Sequence, residues 1–214
     1  MEIDVCSRYI WHGIVVADNV VLQPSAWLTV HDMTFSIWNN HTPAAERWRF
    51  AGDEVDLTLT YGKEWTWVSA ELGFLYYVYP GEGSSSSTGE FSGRIALSKG
   101  PIELSTAHNV DVVRYAGAYF GEAQVAVEYE LTRRLCAGLS TSIGWASPKF
   151  NETYVGTWVG AFNVLSVGAS LQFQLSDRFY LKPHAEMYHT LHSQVAQLTQ
   201  RTTTNIGGVL GIEW

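Results

Sequence analysis

The sequence predicts an all-β fold, a transmembrane antiparallel up-and-down β-barrel of about twelve strands, on three observations. Apolar and polar residues alternate with period two along nearly every segment, the mark of strands with two different faces. Most segments run about 9 to 16 residues, beyond the ~5–6 of soluble strands and enough for the ~9–11 that a tilted membrane strand needs. The connections alternate between tight polar turns and longer loops, as in barrels with brief periplasmic turns and longer outer loops.

The predicted strands cover 3–15, 20–31, 33–41, 53–62, 64–79, 90–99, 101–112, 120–132, 134–146, 158–175, 178–190 and 202–214. In the fourth, Val55, Leu57, Leu59 and Tyr61 alternate with Glu54, Asp56, Thr58 and Thr60. In the fifth, Val68, Ala70, Leu72, Phe74 and Tyr76 alternate with Ser69, Glu71, Gly73, Leu75 and Tyr77. The eighth sets Val125, Val127, Tyr129 and Leu131 against Gln124, Ala126, Glu128 and Glu130. The tenth sets Leu165, Val167, Ala169, Leu171, Phe173 and Leu175 against Ser166, Gly168, Ser170, Gln172 and Gln174. Tight turns follow the even strands at His31-Asp32-Met33, Gly62-Lys63-Glu64, Lys99-Gly100-Pro101, Thr132-Arg133-Arg134 and Ser176-Asp177-Arg178. Longer connections run from Thr42 to Asp53, Pro80 to Gly89 and Ser147 to Thr157, whereas the one after the first strand, around Asp18-Asn19, is predicted to be short. An even strand count places both termini on the periplasmic side of one domain, 1–214. Leu210, Ile212 and Trp214 share a face of the last strand. That strand resembles the end of bacterial outer-membrane barrels, so the barrel insertion machinery is an expected partner through Trp214.

Composition agrees. Of 214 residues 46% are hydrophobic and only 16% charged, against the roughly 25% of soluble domains. No run approaches the ~18 apolar residues of a membrane helix. A soluble ligand-binding barrel or sandwich would also alternate, but its interior is apolar and its outside polar. Here one face carries nearly all the large aliphatic residues, and few long charged ones remain to clothe the other in water. The net charge of −8 argues against nucleic acid. The start, Met1-Glu2-Ile3-Asp4, has neither a basic nor an apolar region of an export signal, so the chain reads as a mature form destined for the outer membrane of a Gram-negative bacterium. Cys6 and Cys136 fall on strands that are not neighbours and are expected to be free thiols.

Ser7-Arg8-Tyr9-Ile10-Trp11-His12-Gly13 with Leu22-Gln23-Pro24 resembles the opening of the TorF family of porins. Glu54-Val55-Asp56, Tyr61-Gly62 and Leu75-Tyr76-Tyr77-Val78-Tyr79-Pro80-Gly81 continue the likeness, which covers roughly the first 80 residues. The resemblance implies an outer-membrane barrel of porin type. It departs at His12, where the family usually carries Arg, so a role of that Arg in the pore is altered here.

The polar face, taken as the lumen, supplies the pore-lining set: Arg8, His12, Glu54, Asp56, Glu71, Arg94, Glu103, Glu128, Glu130, Lys182, His184 and Glu186, with Asp4 and Asp111 beside them. Acids prevail, and charged rings of one sign select ions of the other. The expected function is a porin-like ion channel passing small polar or cationic solutes by diffusion. The alternative is a barrel with a blocked lumen, serving as a scaffold through outer loops such as Glu82 to Thr88. Strand count does not separate them, because twelve lies between filled eight-stranded and open 16–18-stranded barrels. Tyr9, Trp11, Trp65, Trp67, Tyr76, Tyr77, Tyr79, Trp145, Trp158, Phe179 and Tyr180 lie near strand ends and are expected to form interfacial girdles. Inward Trp27 and Trp38 offer a stacking platform for a sugar-like solute. A lipid hydrolase built on His189, His192 and Ser193 lacks a third group to orient the base, so no enzyme is expected. No Cys/His spacing resembles a zinc site, no phosphate loop is present, and no metal or cofactor is expected.

Overall fold

A strand in hydrocarbon must pair both its edges, because an unsatisfied backbone amide there costs several kcal/mol. The computed structural model, which describes residues 1–43, 53–81 and 86–213, meets that demand by closure. Its strands are β1 (Glu2–Cys6), β2 (Tyr9–Trp11), β3 (Ile14–Ala17), β4 (Val21–Val30), β5 (Met33–Asn40), β6 (Glu54–Glu64), β7 (Val68–Val78), β8 (Thr88–Lys99), β9 (Ile102–Asp111), β10 (Tyr119–Thr132), β11 (Leu135–Ala146), β12 (Ala161–Gln174), β13 (Phe179–Thr190) and β14 (Thr202–Ile212). Two short helices, α1 (Pro148–Tyr154) and α2 (Ser193–Leu198), lie in connections. Among the described residues twelve antiparallel strands form the barrel, β1 closing it by pairing with both β14 and β4. Most of the predicted loop from Thr42 to Asp53, part of that from Glu82 to Thr88, and Trp214 lie outside the described residues.

Eleven of the twelve predicted strands shift by no more than four residues at either end, the largest being β7, which starts at Val68 because Trp65 donates its amide to the Val68 carbonyl. The short turns gather at one end of the barrel with both chain termini, where the Met1 amino group donates to the Ile212 carbonyl. We call this the turn end and the other the loop end.

The pleat sends alternate side chains to opposite faces, and the register carries each face from strand to strand. Leu28, Leu72, Leu139 and Ile206 are 65, 69, 62 and 65% exposed on the outer face, and every barrel strand adds large apolar side chains to the same band. A continuous apolar belt far exceeds the few hundred Å² that a soluble monomer exposes. No helix among the described residues is long and apolar enough to cross a membrane. Trp65, Trp67 and Phe179 mark the belt at the turn end; Tyr119, Trp145 and Trp158 mark it at the loop end, with Trp145 Nε1 donating to the Tyr119 hydroxyl at 3.1 Å. Five of the predicted girdle residues belong elsewhere. Tyr77 and Tyr180 are buried on inward positions, Tyr79 just past β7 turns to the buried Glu54, and Tyr9 and Trp11 leave the wall altogether.

The predicted first strand, 3–15, is corrected most. Only Glu2–Cys6 enters the barrel; β2 and β3 form a separate two-stranded hairpin, so the connection expected to be short spans residues 7–20. The tip is His12-Gly13, with φ of 52° and 81° and Trp11 opposite Ile14. Two consecutive left-handed residues make a two-residue turn of the primed type that suits a hairpin's twist. The hairpin folds inward across the lumen. Tyr9 packs on Trp38 of β5, Trp11 meets Tyr77 of β7, and the His12 ring stacks on Phe120 of β10 at 3.9 Å. A Cβ on Gly13 would stand 2.7 Å from Val164 of β12, so glycine lets the tip touch the far wall.

The connection after β11 folds against this hairpin. Ser147 caps α1 by accepting from the Phe150 amide at 3.2 Å. Phe150 then stacks with Trp11, centroids 5.5 Å apart, and Tyr154 meets Trp11 edge-on. Asn151 is fully buried; its amide donates to the Val159 carbonyl and to Asn163 Oδ1, and Asn163 donates back at 2.6 Å. Replacing Asn151 with Ala strands the buried Asn163 amide. We expect a loss of about 1–3 kcal/mol, read as a lower midpoint in thermal unfolding of the refolded barrel. An unchanged midpoint would show that water serves Asn163 equally well.

Candidate channel lumen

Because opposed residues on paired strands face the same way, the register assigns the inner wall. It carries Glu2 and Asp4 (β1), Glu54 and Asp56 (β6), Glu71 (β7), Glu90 (β8), Glu103 and Asp111 (β9), Glu122, Glu128 and Glu130 (β10) and Glu186 (β13). Among the described strands the permanent cations on inward positions are Arg94 and Lys182, with His184 beside them. Of the predicted lining residues, ten thus sit on the wall. Arg8 and His12 do not. Arg8 lies in the connection after β1, paired with Asp18 and donating to the Thr204 carbonyl at 2.7 Å. His12 sits at the hairpin tip among aromatic rings, and that burial lowers its pKa from 6.5 to about 3, so it is neutral at pH 7. Trp27 and Trp38 both face inward, but Trp38 is engaged by Tyr9. Glu2, Glu90 and Glu122 belong to the lining and were missed, although Glu90 and Glu122 share parity with Arg94 and Glu128 in the alternating pattern.

The two halves of the lumen differ. At the loop end each of the twelve strands contributes a buried inward residue, from Cys6 on β1 round to Asn205 on β14. Phe120 and Val164 of the wall, Phe150 of α1 and Ala118 form one apolar cluster, against which Trp11 and Ile14 of the hairpin pack. Water-sized space opens toward the turn end. One cavity of about 360 Å³ is lined by Asp4, Glu128, Lys182, His184 and Glu186. Another of about 510 Å³ is lined by Glu103, Gln124, Glu128 and Glu130. A third of about 620 Å³ is lined by Thr34, Thr60 and Glu71.

Hydroxyls, more than cations, hold the acids. Arg94 donates to Glu103 at 2.5 Å, and His184 Nε2 lies 3.1 Å from Asp4. Elsewhere Tyr77 donates to Glu90 at 3.0 Å, Ser142 to Glu122 at 3.0 Å, Tyr188 to Glu186 at 2.8 Å, and Tyr180 to Glu2. Asp111 is spent on structure, accepting from Thr88 and from the amides of Val113 and Tyr115. Asp56 Oδ1 is buried with no hydrogen-bond partner among the described residues. A hydroxyl bond brings no positive charge, so most of these acids have no cationic partner on the wall.

The hydrolase residues are not assembled. Ser193 starts α2 and His192 precedes it as cap; His189 faces outward with Nδ1 on the Thr202 hydroxyl at 2.8 Å. His192 Nδ1 is buried with no hydrogen-bond partner among the described residues, so no acid orients either base. Cys6 and Cys136 are free thiols.

No known protein family and no curated protein matches the chain by sequence. Among solved structures it is similar to the NanC porin, at 8% identity and TM-score 0.67, over 100% of this chain and 99% of that one. It is similar to the KdgM porin at 11% identity and TM-score 0.62, over 100% of both chains. KdgM is also known in complex with disordered oligogalacturonate. The COG4313 outer membrane channel from Pseudomonas putida F1 matches at 10% identity and TM-score 0.52, over 99% of this chain and 95% of that one. These neighbours are porins and channels, and what the chain shares with them, over its whole length, is the fold of an outer-membrane β-barrel.

Proposed function

We propose that this chain is an outer-membrane channel of porin type, through which small cationic and polar solutes diffuse passively. The loop end, narrowed by the hairpin, faces outward, and the turns and both termini face the periplasm. The observation that carries the reading is the charge of the wall. Carboxylates line the lumen on β1, β6, β7, β8, β9, β10 and β13, whereas Arg94 and Lys182 are the inward permanent cations of the described strands. Oligogalacturonate, found with KdgM, carries a carboxylate on each sugar; a lumen of this sign repels such a polyanion and favours cations. Tyr9 to Gly13 of the TorF-like stretch fall within the hairpin.

The packed loop end supports a second function, a barrel with a closed lumen acting as a scaffold. Single-channel conductance of the refolded protein in a planar bilayer under a salt gradient separates the two. Steady steps with a reversal potential toward cation selectivity are expected. A silent bilayer, with insertion verified by heat-modifiable gel migration, would overturn the channel and leave the scaffold.

A further inference from the structure

We propose that Asp4, Cys6 and His184 form a binding site for a borderline divalent metal of the Zn²⁺ class on the lumen wall. Asp4 and Cys6 are alternate residues of β1 and so face the lumen together. His184 is on β13, and the register aligns Cys6, Gly207 and His184 in one row across β1, β14 and β13. Residues two strands apart stand about 9.5 Å from each other along such a row and do not ordinarily meet. Here the middle position is glycine. A Cβ on Gly207 would lie 2.5 Å from His184 Nε2 and 2.9 Å from Cys6 Sγ, so any other residue would fill the space in which the two converge.

The convergence has the geometry of ligands, not of a relay. In a Cys–His–Asp relay the acid holds one imidazole nitrogen and the thiol meets the other. Here one nitrogen, His184 Nε2, faces both Asp4 oxygens at 3.1 Å and Cys6 Sγ at 3.9 Å, and all three donor atoms lie within 4.8 Å of one another. Tetrahedral Zn²⁺ bonds of ~2.0–2.3 Å set ligand atoms roughly 3.3–3.8 Å apart, so small rotations complete the site. One sulfur, one nitrogen and one oxygen donor suit Zn²⁺ and not the hard, oxygen-seeking Mg²⁺ or Ca²⁺. The adjoining 360 Å³ cavity, lined by Asp4 and His184, leaves the fourth position to water. Lys182 lines the same cavity as a competing cation, opposed there by Glu186 and Glu128. A bound metal would join β1 to β13 across β14, stapling the short strand that closes the barrel.

The test uses Co²⁺ as probe on the reduced, metal-free protein refolded in detergent, in a Cys136→Ser background so that one thiol remains. A thiolate-to-cobalt charge-transfer band saturating at one equivalent, displaced by Zn²⁺, is expected. It should vanish in Cys6→Ser, and His184→Gln should weaken binding by about 100-fold. Heat-modifiable migration verifies that each variant is folded. Zn²⁺ should also raise the unfolding temperature of the parent and not of Cys6→Ser. A folded parent that shows no band, or a band that survives Cys6→Ser, would overturn the site.

Discussion

Replacing residues 9–17 with a short Gly-Ser linker should raise single-channel conductance several-fold. The hairpin spans the lumen at its packed end, from the β1–β4 seam to Phe120 and Val164 on the far wall. Removing it takes Trp11 and Ile14 out of the apolar cluster and frees the wall beneath. The barrel does not need the hairpin to close, because Cys6 already pairs with Val21, so the cut ends lie side by side. Stability should fall by a few kcal/mol for the lost burial of large apolar side chains, with the barrel still heat-modifiable. A gentler version is Gly13→Val. At φ 81° a β-branched residue is strained, and its Cβ would meet Val164 at 2.7 Å. Strain of about 1–3 kcal/mol should unseat the tip without deleting a ring and give flickering, intermediate conductance. If the deletion leaves conductance unchanged, the constriction belongs to the α1 connection.

The second large effect concerns selectivity. Asp56→Asn combined with Glu90→Gln should shift the reversal potential, measured at pH 9, most of the way toward the non-selective value. Both carboxylates sit in the packed half, Glu90 held by a tyrosine hydroxyl and Asp56 with an unpartnered oxygen. Two unit charges 4 Å apart interact by about 1 kcal/mol in bulk water and about 4 kcal/mol at an effective dielectric of 20, so the narrow half decides which ions pass. Glu130→Gln is the contrast. Glu130 lies exposed in the wide half, beside a cavity of about 510 Å³, where water and salt screen it within about 10 Å at 0.1 M. Equal shifts from the two changes would place selectivity in the whole lumen instead of its neck.

Much of this was legible in the chain itself. Period-two alternation is local, imposed by the pleat residue by residue, so it announced twelve strands and which side chains share a face. Glu54, Asp56, Glu71, Glu128 and Glu186 could therefore be placed on the wall from parity alone. The turns were legible for the same reason, since tight polar connections need no distant partner.

What a strand pairs with is not local, and there the tertiary structure decided. Residues 9–17 pair as strands whether they continue the wall or fold inside it. The two-residue His12-Gly13 between Trp11 and Ile14 was the available hairpin signal, but only the β1–β4 pairing shows that the hairpin is surplus to the wall. His12 looked like a lumenal base for the same reason; folding buried it against Phe120. The meeting of Asp4, Cys6 and His184 spans nearly the whole chain and depends on closure of the first strand onto the last, with glycine at the one position between them. Sequence alone determined the barrel, its two faces and the acidity of its lumen, because pleat and turn chemistry act between neighbours. The filled loop end and the thiol–imidazole–carboxylate cluster were decided only by closure, which brings residues remote in the chain into one row.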